Sequence, residues 1–461
     1  MGASISNWRL ARAVSSLGEL GVVSGTALSE VVTRTLQDGD PGGDIRRALE
    51  RFPFPNMAQR VLDRYFISGG KGADVPYCKH EMLSLEGARD PLELCIVSNF
   101  VEVYLAKEGH ANPVGINYLE KLQLPHLASI YGAMLAGVAV VVMGAGIPLA
   151  VPGVLDALSR HEKAEYPITI TKQDGGYETF TMVFDPSEFH ESGAMLPEID
   201  KPDFLPIVSS DALATILMRR VGKGIDGLII EGNVAGGHNA PPRGKTSYTE
   251  GGEPIYGARD DAKLSVIREI GLPFWLAGSY GSPEGLRNAL DVGATGVQEG
   301  TAFALCEESG LVPDVRRELV GDALAGKARV FTDPLASPTG FPFKVADLAG
   351  SLSDPAVYAQ RRRICDLGSL RQPYRRGDGK IGYRCPAEPV AAYVAKGGKA
   401  EDTVGRKCLC NALSANAGKP QVLPDGSTEK YLVTMGDDLV DIGRFCKGES
   451  PDFSAADVVN I

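Results

Sequence analysis

The chain has 461 residues, of which 44% are hydrophobic and 23% charged, and its net charge is −11. This composition is typical of a globular protein and excludes a fibrous or disordered chain. The acidic balance argues against a nucleic-acid partner, because neutralising phosphates requires clustered Lys and Arg.

Seven short apolar runs, each followed by Gly or polar residues, predict the strands of a parallel sheet. They are Leu20–Ser24, Val114–Tyr118, Val138–Met143, Leu205–Ser209, Gly227–Glu231, Phe274–Gly278 and Thr295–Gln298. They show little alternation, which is typical of strands buried on both faces. Helical patterns lie between them, as in Asp211–Val221, Asp261–Ile270 and Pro283–Val292. The repeated order of strand and helix predicts an α/β fold of the TIM (β/α)8 barrel type.

Two insertions and an extension interrupt this order. We expect a barrel domain over residues 1–352 and a C-terminal, Cys-rich extension over residues 353–461. The first insertion, 26–110, is predicted to carry helices at Asp44–Phe52 and Asn56–Phe66. The second, 164–203, is predicted to form a β-hairpin from Tyr166–Lys172 and Tyr177–Val183 around Asp174, Gly175 and Gly176.

The sequence favours a cytoplasmic protein without a membrane span. The stretch Tyr131–Leu155 lacks charged residues, but its two Pro and several Gly favour a helix, a buried strand and a loop over a spanning helix. No signal peptide opens the chain, and its eight Cys are consistent with a reducing compartment. We expect a small-molecule substrate and allow for a homo-oligomer.

Three glycine-containing motifs at strand ends predict a binding site. Glu231–His238 contains paired glycines that let the backbone approach a flat or anionic ligand, and it places His238 at the mouth of the sheet. There an imidazole can act as a general base or as a hydrogen-bond donor, and a structural loop with a capping His is the alternative. Ala277–Glu284 and Gly296–Thr301 combine Gly turns with helix starts, which bind phosphate. Their order as the last two strands fits the phosphate site of α/β barrels.

Four cysteines in the extension form a second candidate site. Cys365, Cys385, Cys408 and Cys410 provide enough thiolates for tetrahedral zinc or a [4Fe–4S] cluster. Structural zinc usually takes two Cys-x₂₋₄-Cys pairs, whereas the one close pair here has a single intervening residue. Cys385 precedes a Pro, as the last ligand of bacterial ferredoxins does. Buried thiols without a metal remain the alternative.

The stretch 204–309 resembles the flavin-dependent nitronate monooxygenase family and the related flavin-type enoyl-acyl-carrier-protein reductases. The matching motifs are Pro206–Ser209, Glu231–His238, Ala277–Ser279, Val297–Phe303 and Glu308–Ser309, with earlier matches at Leu10–Gly25, Gly115–Asn117 and Gly144–Gly146. The resemblance implies an FMN-binding barrel with His238 as the catalytic base. It places Asn117, Gly236 and Gly237 at the flavin, and Gly278, Ser279, Gly300 and Thr301 at its phosphate. Ser209, Glu231 and Gln298 complete the predicted cofactor-binding residues.

The sequence departs from the family pattern in three places. The family's opening strand is missing at the start, so we expect either a longer natural chain or another segment in its position. Tyr280 follows Ser279 where the family has Gly-Ile, and we expect its ring to fold over the flavin or narrow the mouth. The segment 239–245 after His238 is basic and Pro-rich, which fits either an anionic substrate or a surface loop.

The functional hypotheses belong to three classes. The first is an FMN-dependent monooxygenase that oxidises a nitronate-like substrate with oxygen. The second is an NAD(P)H-dependent flavin enoyl or quinone reductase that uses an iron–sulfur cluster. The third is a flavin-free, phosphate-binding barrel isomerase or lyase, since the same phosphate motif occurs in that class.

Overall fold

The computed structural model describes residues 2–173, 175–193, 195–448 and 450–461. Its strands, numbered in chain order, are β1 (Gly21–Ser24), β2 (Val114–Leu119), β3 (Val140–Gly144), β4 (Ala164–Thr171), β5 (Tyr177–Phe184), β6 (Asp203–Val208), β7 (Leu228–Glu231), β8 (Gly237–His238), β9 (Phe274–Ala277), β10 (Gly296–Gln298), β11 (Val330–Asp333), β12 (Phe343–Ala346), β13 (Gln372–Arg375) and β14 (Ile381–Arg384).

The α-helices are α1 (Trp8–Ser16), α2 (Leu28–Gln37), α3 (Asp44–Leu49), α4 (Pro55–Tyr65), α5 (Arg89–Lys107), α6 (His126–Leu135), α7 (Val151–Ser159), α8 (Asp211–Val221), α9 (Leu264–Ile270), α10 (Pro283–Asp291), α11 (Thr301–Ala304), α12 (Pro313–Leu324), α13 (Pro355–Gln360), α14 (Val390–Ala395), α15 (Leu409–Asn416) and α16 (Ala455–Val459). Short 3₁₀ helices form at Pro186–Phe189, Ala400–Thr403 and Asp437–Phe445. Across the described part of the chain, no helix is long and apolar enough to cross a membrane.

The seven predicted strands form one parallel sheet. Its order is β1-β2-β3-β6-β7-β9-β10, and every pair between neighbours is parallel. Helices connect successive strands, as in the segment β6–α8–β7. The predicted α/β fold of the barrel type is therefore confirmed, as a curled parallel sheet whose outer strands are β1 and β10.

The two faces of this sheet pack into separate clusters, which explains why its strands are apolar on both sides. On the inner face, Val22, Val142, Leu205, Ile229 and Trp275 belong to one small cluster. On the outer face, alternate residues of the same strands join the main core with the surrounding helices. Side chains alternate between the two faces along each strand, so both sets are buried.

The N-terminal segment covers part of β1. The Ser24 amide donates a hydrogen bond of 2.8 Å to the Ser6 carbonyl, and the Ser6 hydroxyl donates to the Val22 carbonyl at 2.6 Å. On the side of the N-terminal segment that faces away from β1, the Gly310 amide donates a hydrogen bond to the Ile5 carbonyl at 2.8 Å. Residues 5–6 therefore lie between β1 and the segment that follows α11.

Both insertions contain the predicted elements. The first carries α3 and α4, close to the expected bounds, and also the 19-residue helix α5, which packs on α6. The second forms the expected antiparallel hairpin of β4 and β5. Of the predicted turn, Asp174 lies outside the described residues. Tyr131–Leu155 contains the predicted helix end, buried strand and loop, and after the loop also the start of α7, which was not predicted.

The C-terminal extension contacts both the barrel and the hairpin. Strand β13 pairs with β4 at Tyr374 and Thr171, so the hairpin belongs to a four-stranded sheet of order β14-β13-β4-β5. Helix α16 packs on α1, and the 3₁₀ helix Asp437–Phe445 packs on α12. The boundary at residues 352 and 353 stays a prediction.

Candidate functional site

The carboxyl ends of the parallel strands bring the predicted cofactor residues to one edge of the sheet. Register places Glu231 opposite Ala277, and Ala277 opposite Gln298. Asn117 is buried in β2, and its Oδ1 has no hydrogen-bond partner in the described parts of the chain. Ser209 directly follows β6 and is half-buried. Parallel strands assemble sites at this edge because their loops all emerge there.

His238 is held in place by a second antiparallel sheet. It forms β8 with Gly237, which pairs with β12 so that His238 lies opposite Phe343. Its ring meets the Phe343 ring edge-on, with 4.8 Å between the ring centres. Its Nε2 is 2.7 Å from the Ser337 hydroxyl oxygen, which is fully buried. Burial, with a smaller effect of Lys121, lowers the pKa of His238 to about 3, so its imidazole is neutral at pH 7.

Lys121 brings a buried cation to the same site. It follows β2, and its Nζ lies 2.8 Å from the centre of the Phe341 ring. Among the described residues this buried nitrogen has no hydrogen-bond partner. Burial lowers the pKa of Lys121 to about 7, opposed by the nearby Glu120 and Glu231 carboxylates. Burial also raises the pKa of Glu231 to about 7, opposed by Lys121.

Three residues of the predicted phosphate loops have backbone features of note: a close loop contact at Gly278, a left-handed conformation at Ser279 and open space at Gly300. Gly278 has φ +107°, and a Cβ there would lie 3.0 Å from Val234 Cγ2 and 3.3 Å from the Ala235 nitrogen. Ser279 has φ +59°, a left-handed conformation that is uncommon outside glycine. A Cβ on Gly300 would meet nothing within 4 Å.

Residues 434–445, which we call the C-terminal strap, pass over these loops. The Gly436 amide donates to the Thr301 hydroxyl at 2.9 Å, and the Asp437 amide donates to the Val234 carbonyl at 3.0 Å. Arg444 Nε donates to the Gly281 carbonyl at 2.9 Å, and its guanidinium pairs with Asp438. The strap therefore connects the Gly-Gly-His loop with the phosphate loops.

Two side chains near the loops bear on earlier expectations. Tyr280 is partly buried and packs against the main hydrophobic core, and its predicted place over the flavin or at the mouth stays a prediction. The basic residues Arg243 and Lys245 are exposed, which fits the surface-loop alternative. The Arg243 amide binds the Asp260 carboxylate at 2.7 Å and holds the loop against the segment that precedes α9.

The four predicted metal-ligating cysteines meet at one cavity, which Cys365, Cys385, Cys408 and Cys410 all line. In the described ranges, however, no group of three or more His, Cys, Asp or Glu side chains is placed to hold a metal ion. The expectation of a zinc or iron–sulfur site is therefore unsupported, because a metal centre requires several ligands placed around it.

A larger cavity lies beside the ends of β1 and β2, and His238 is not among its lining residues. Its volume is about 720 Å³ including its open mouth, and Glu30, His80, Cys95, His126 and Ser369 are among the residues that line it. Glu30 Oε1 accepts a hydrogen bond from Ser369 at 2.8 Å and lies 3.5 Å from His80 Nε2. Its walls come from α2, α5, α6 and the extension.

Sequence reasoning missed three residues of the site: Lys121, Ser337 and Arg444. Lys121 stands four residues after the matched Asn117, at the position where strand-end residues enter a site, and this signal could have identified it. Ser337 lies 99 residues after His238 in the chain, and Arg444 lies in the extension. No local sequence pattern marks either residue as part of the site.

Comparison with known proteins agrees with these motifs. The family model for nitronate monooxygenase matches residues 200–331. A nitronate monooxygenase of Pseudomonas aeruginosa is 36% identical over 119 residues, which is 26% of this chain. The match spans about a third (32%) of the length of that relative.

Two solved structures are similar over most of the chain. FabK from Thermotoga maritima is 16% identical with a TM-score of 0.47, and the alignment covers 99% of this chain and 88% of that one. A nitroalkane oxidase from Streptomyces ansochromogenes is 15% identical with a TM-score of 0.46, covering 100% and 92%. The sequence match and the motifs at the strand ends fall on the same stretch of the chain. Residues 200–331 of this chain are similar in sequence to the nitronate monooxygenase family.

Proposed function

We propose that the protein is an FMN-dependent oxidoreductase that oxidises a nitronate-like substrate, with His238 as its base. The similarity of residues 200–331 to that family supports an oxidoreductase. The observation that carries the proposal is a neutral imidazole at the edge of the sheet, with the buried amine of Lys121, whose pKa is about 7, close enough to act on it. In this arrangement His238 takes a proton and Lys121 stabilises the negative charge that remains.

The residues at the sheet edge fit FMN. Gly278 lets its loop pack closely against Val234 and Ala235, and a Cβ on Gly300 would meet nothing within 4 Å, which leaves space for a ligand. Asn117 Oδ1 is a buried acceptor without a partner among the described residues, and is suited to a donor on the flavin ring. When bound, FMN supplies the electron-transfer chemistry, and the protein supplies orientation and charge.

The strap is compatible with a phosphate role for Thr301. The Thr301 hydroxyl accepts the Gly436 amide hydrogen. A hydroxyl has one hydrogen to donate in addition to its two acceptor positions, so Thr301 still has a donor for a phosphate oxygen. Arg444, whose guanidinium lies beside Gly281 and is paired with Asp438, places an ion pair next to the same loop.

His238 and Lys121 have different roles toward the substrate: His238 accepts a proton, and Lys121 stabilises negative charge. A neutral nitroalkane loses a proton from the carbon next to its nitro group to become the nitronate, and the His238 imidazole accepts that proton. The negative charge then moves onto the nitro oxygens, and the Lys121 ammonium stabilises it. Ser337 holds the imidazole in position through its bond to Nε2.

The test compares His238→Ala with the natural chain on nitroethane and on its preformed nitronate, with oxygen uptake as the readout. We expect the variant to keep FMN and to lose about 10²-fold or more in turnover of nitroethane. Turnover of the nitronate should fall much less, because its proton is already gone. His110→Ala is the matched control, since the His110 ring only bonds the Ala106 carbonyl.

Each alternative class gives a different result in this assay. Equal losses on both substrates would remove the role of His238 as a base. NAD(P)H oxidation without any turnover of the nitro compounds would favour the enoyl or quinone reductase. A protein that stays colourless and refuses added FMN would overturn the flavoenzyme proposal and favour the isomerase or lyase class.

A further inference from the structure

The larger cavity, beside the ends of β1 and β2, is the strongest feature that the proposed FMN site does not use. Its described lining residues come from the loop after β1, from α2, α5 and α6, and from residues 367–369 of the extension. Six of them are leucines: Leu28, Leu83, Leu119, Leu122, Leu124 and Leu367. The cavity is therefore a largely apolar space between the barrel and the extension.

The wall that the extension contributes is fixed in place by several contacts. The Ser369 hydroxyl donates to Glu30 Oε1 at 2.8 Å, and Arg371 Nη2 donates to the Leu83 carbonyl at 3.1 Å. A Cβ on Gly368 would lie only 2.5 Å from Met82 Sδ, so the segment packs closely on the first insertion. A wall that is already ordered does not have to be ordered when a ligand binds, which favours binding.

The polar end of the cavity holds an ion pair without a net charge. Glu30 is the one carboxylate among the described lining residues, which include no Lys or Arg, and its Oε1 lies 3.5 Å from His80 Nε2. Burial would raise the pKa of Glu30, but the hydrogen bond and the charge of His80 lower it to about 2. Burial would also lower the pKa of His80, but Glu30 raises it. A charged ligand would therefore find no unpaired partner here.

His126 offers the cavity a hydrogen-bond acceptor. It is 1% exposed, and its Nε2 lies 3.0 Å from the Leu119 carbonyl. A carbonyl can only accept, so Nε2 carries the ring hydrogen and Nδ1 carries the lone pair. Burial lowers the pKa of His126 to about 4, so the imidazole is neutral at pH 7. This Nδ1 has no hydrogen-bond partner in the described parts of the chain, and a ligand O–H or N–H would satisfy it.

Other polar groups that line the cavity are already paired. Tyr118 Oη lies 2.9 Å from Asn99 Oδ1, and Asn99 Nδ2 donates to the Cys95 carbonyl at 2.9 Å. The Cys95 sulfur lies 3.5 Å from the Ser29 hydroxyl oxygen. These contacts leave His126 Nδ1 as the acceptor that a ligand can use.

We propose that this cavity binds an uncharged aliphatic molecule of medium length, whose amide or hydroxyl head donates a hydrogen bond to His126 Nδ1. The leucines contact its chain. The Glu30–His80 pair disfavours the carboxylate and the amine of the same length, because each meets a like charge at this wall. The proposal does not depend on the proposed nitronate chemistry.

The first test measures the binding of three six-carbon compounds to the full chain at pH 7, with and without added FMN. They are hexanamide, hexanoate and hexylamine, followed by ligand-observed NMR. We expect hexanamide to bind at one saturable site, and pentanamide to bind about fourfold more weakly because it buries one methylene group fewer. Hexanoate and hexylamine should bind about 10-fold more weakly than hexanamide, or not at all, because their charges would be buried without a free partner.

Variants of the lining residues locate the site. His126→Gln removes Nδ1 but keeps an amide that can donate to the Leu119 carbonyl, and it should weaken hexanamide binding about 5- to 10-fold. His110→Gln is the matched control: His110 Nε2 lies 2.8 Å from the Ala106 carbonyl and its buried Nδ1 also has no partner among the described residues, but His110 does not line the cavity. Leu83→Trp should abolish binding by filling the space. Circular dichroism shows whether each variant is folded.

Four results would overturn the proposal. The first is a folded natural chain that shows no saturable binding of hexanamide. The second is an equal affinity of His126→Gln and His110→Gln, and the third is hexanoate or hexylamine binding as tightly as hexanamide. The fourth is loss of hexanamide when FMN is added, which would place the compound at the FMN site. A chain that binds hexanamide but no FMN would support the cavity site while overturning the proposed flavoenzyme, so the two failures can be told apart.

Discussion

Replacement of Gly436 by Ala tests how the C-terminal strap packs on the barrel. Gly436 has φ −85° and ψ 173°, a conformation open to any residue, so the substitution adds no backbone strain. The added Cβ would lie 2.9 Å from the Val234 carbonyl oxygen, 3.0 Å from the Gly236 nitrogen and 3.0 Å from Thr301 Oγ1. Two of these atoms belong to the backbone of the Gly-Gly-His loop, so the strap itself has to move.

The expected cost is that of overpacking a tight contact, about 1–3 kcal/mol in the free energy of unfolding. The assay is urea unfolding of the FMN-free protein, followed by circular dichroism. Gly300→Ala is the matched control, because it also adds one methyl group near the strap, but at a position where no atom lies within 4 Å of the new Cβ. We expect the control to unfold like the natural chain and to weaken FMN binding, since its methyl group points into the proposed phosphate space.

Equal stability of the two alanine variants would refute the packing argument. It would mean that the strap does not press against the Gly-Gly-His loop in solution. If Gly300→Ala were less stable than Gly436→Ala, the space beside Gly300 would be the filled one and the space beside Gly436 the open one, which is the opposite of the arrangement described.

Three further predictions concern charges and hydrogen bonds. Lys121→Met removes a cation that lowers the pKa of His238, so the acid limb of the pH–rate profile for nitroethane should move to higher pH; a shift to lower pH would contradict this. Ser337→Ala removes the 2.7 Å bond to His238, and should lower turnover while FMN affinity stays unchanged. Burial raises the pKa of Glu102 from 4.5 to about 7, so the folded state holds this proton more tightly than the unfolded chain. Stability should therefore fall as pH rises from about 4.5 to 7, and Glu102→Gln should flatten that fall in a series of urea titrations.

The strands could be predicted from the sequence because their signal is local. Val140–Gly144 and Leu228–Glu231 are buried on both faces of the sheet, so every position in them is apolar or small until the strand ends. The strand-end pattern then places the motif that begins at Glu231 at one edge of the sheet, whereas Asn117 is placed there by the family resemblance. Helix α8 was predicted with its observed bounds, since Ser210 caps it and Gly222 ends it.

The remaining features of the fold and of the candidate site depend on contacts between distant parts of the chain, which no local pattern indicates. Ser337 reaches His238 only because β12 pairs with β8, and nothing near residue 337 indicates this pairing. The hairpin of β4 and β5 was expected as a separate element, but Tyr374 joins it to the extension. The cysteines could be grouped by their spacing, whereas their common cavity requires the packing of α15 against the segment 364–371.

The strap has a consequence for the order in which the protein is assembled. The seven strands of the parallel sheet and the phosphate loops are complete by residue 301, whereas Gly436 and Arg444 are synthesised much later. During synthesis the cleft between the Gly-Gly-His loop and Thr301 is therefore exposed before the strap can lie across it. The Gly436 and Asp437 hydrogen bonds, which join the strap to Thr301 and Val234, can form only after that interval. In the proposed flavoenzyme, FMN could therefore reach the phosphate loops during synthesis before the strap docks.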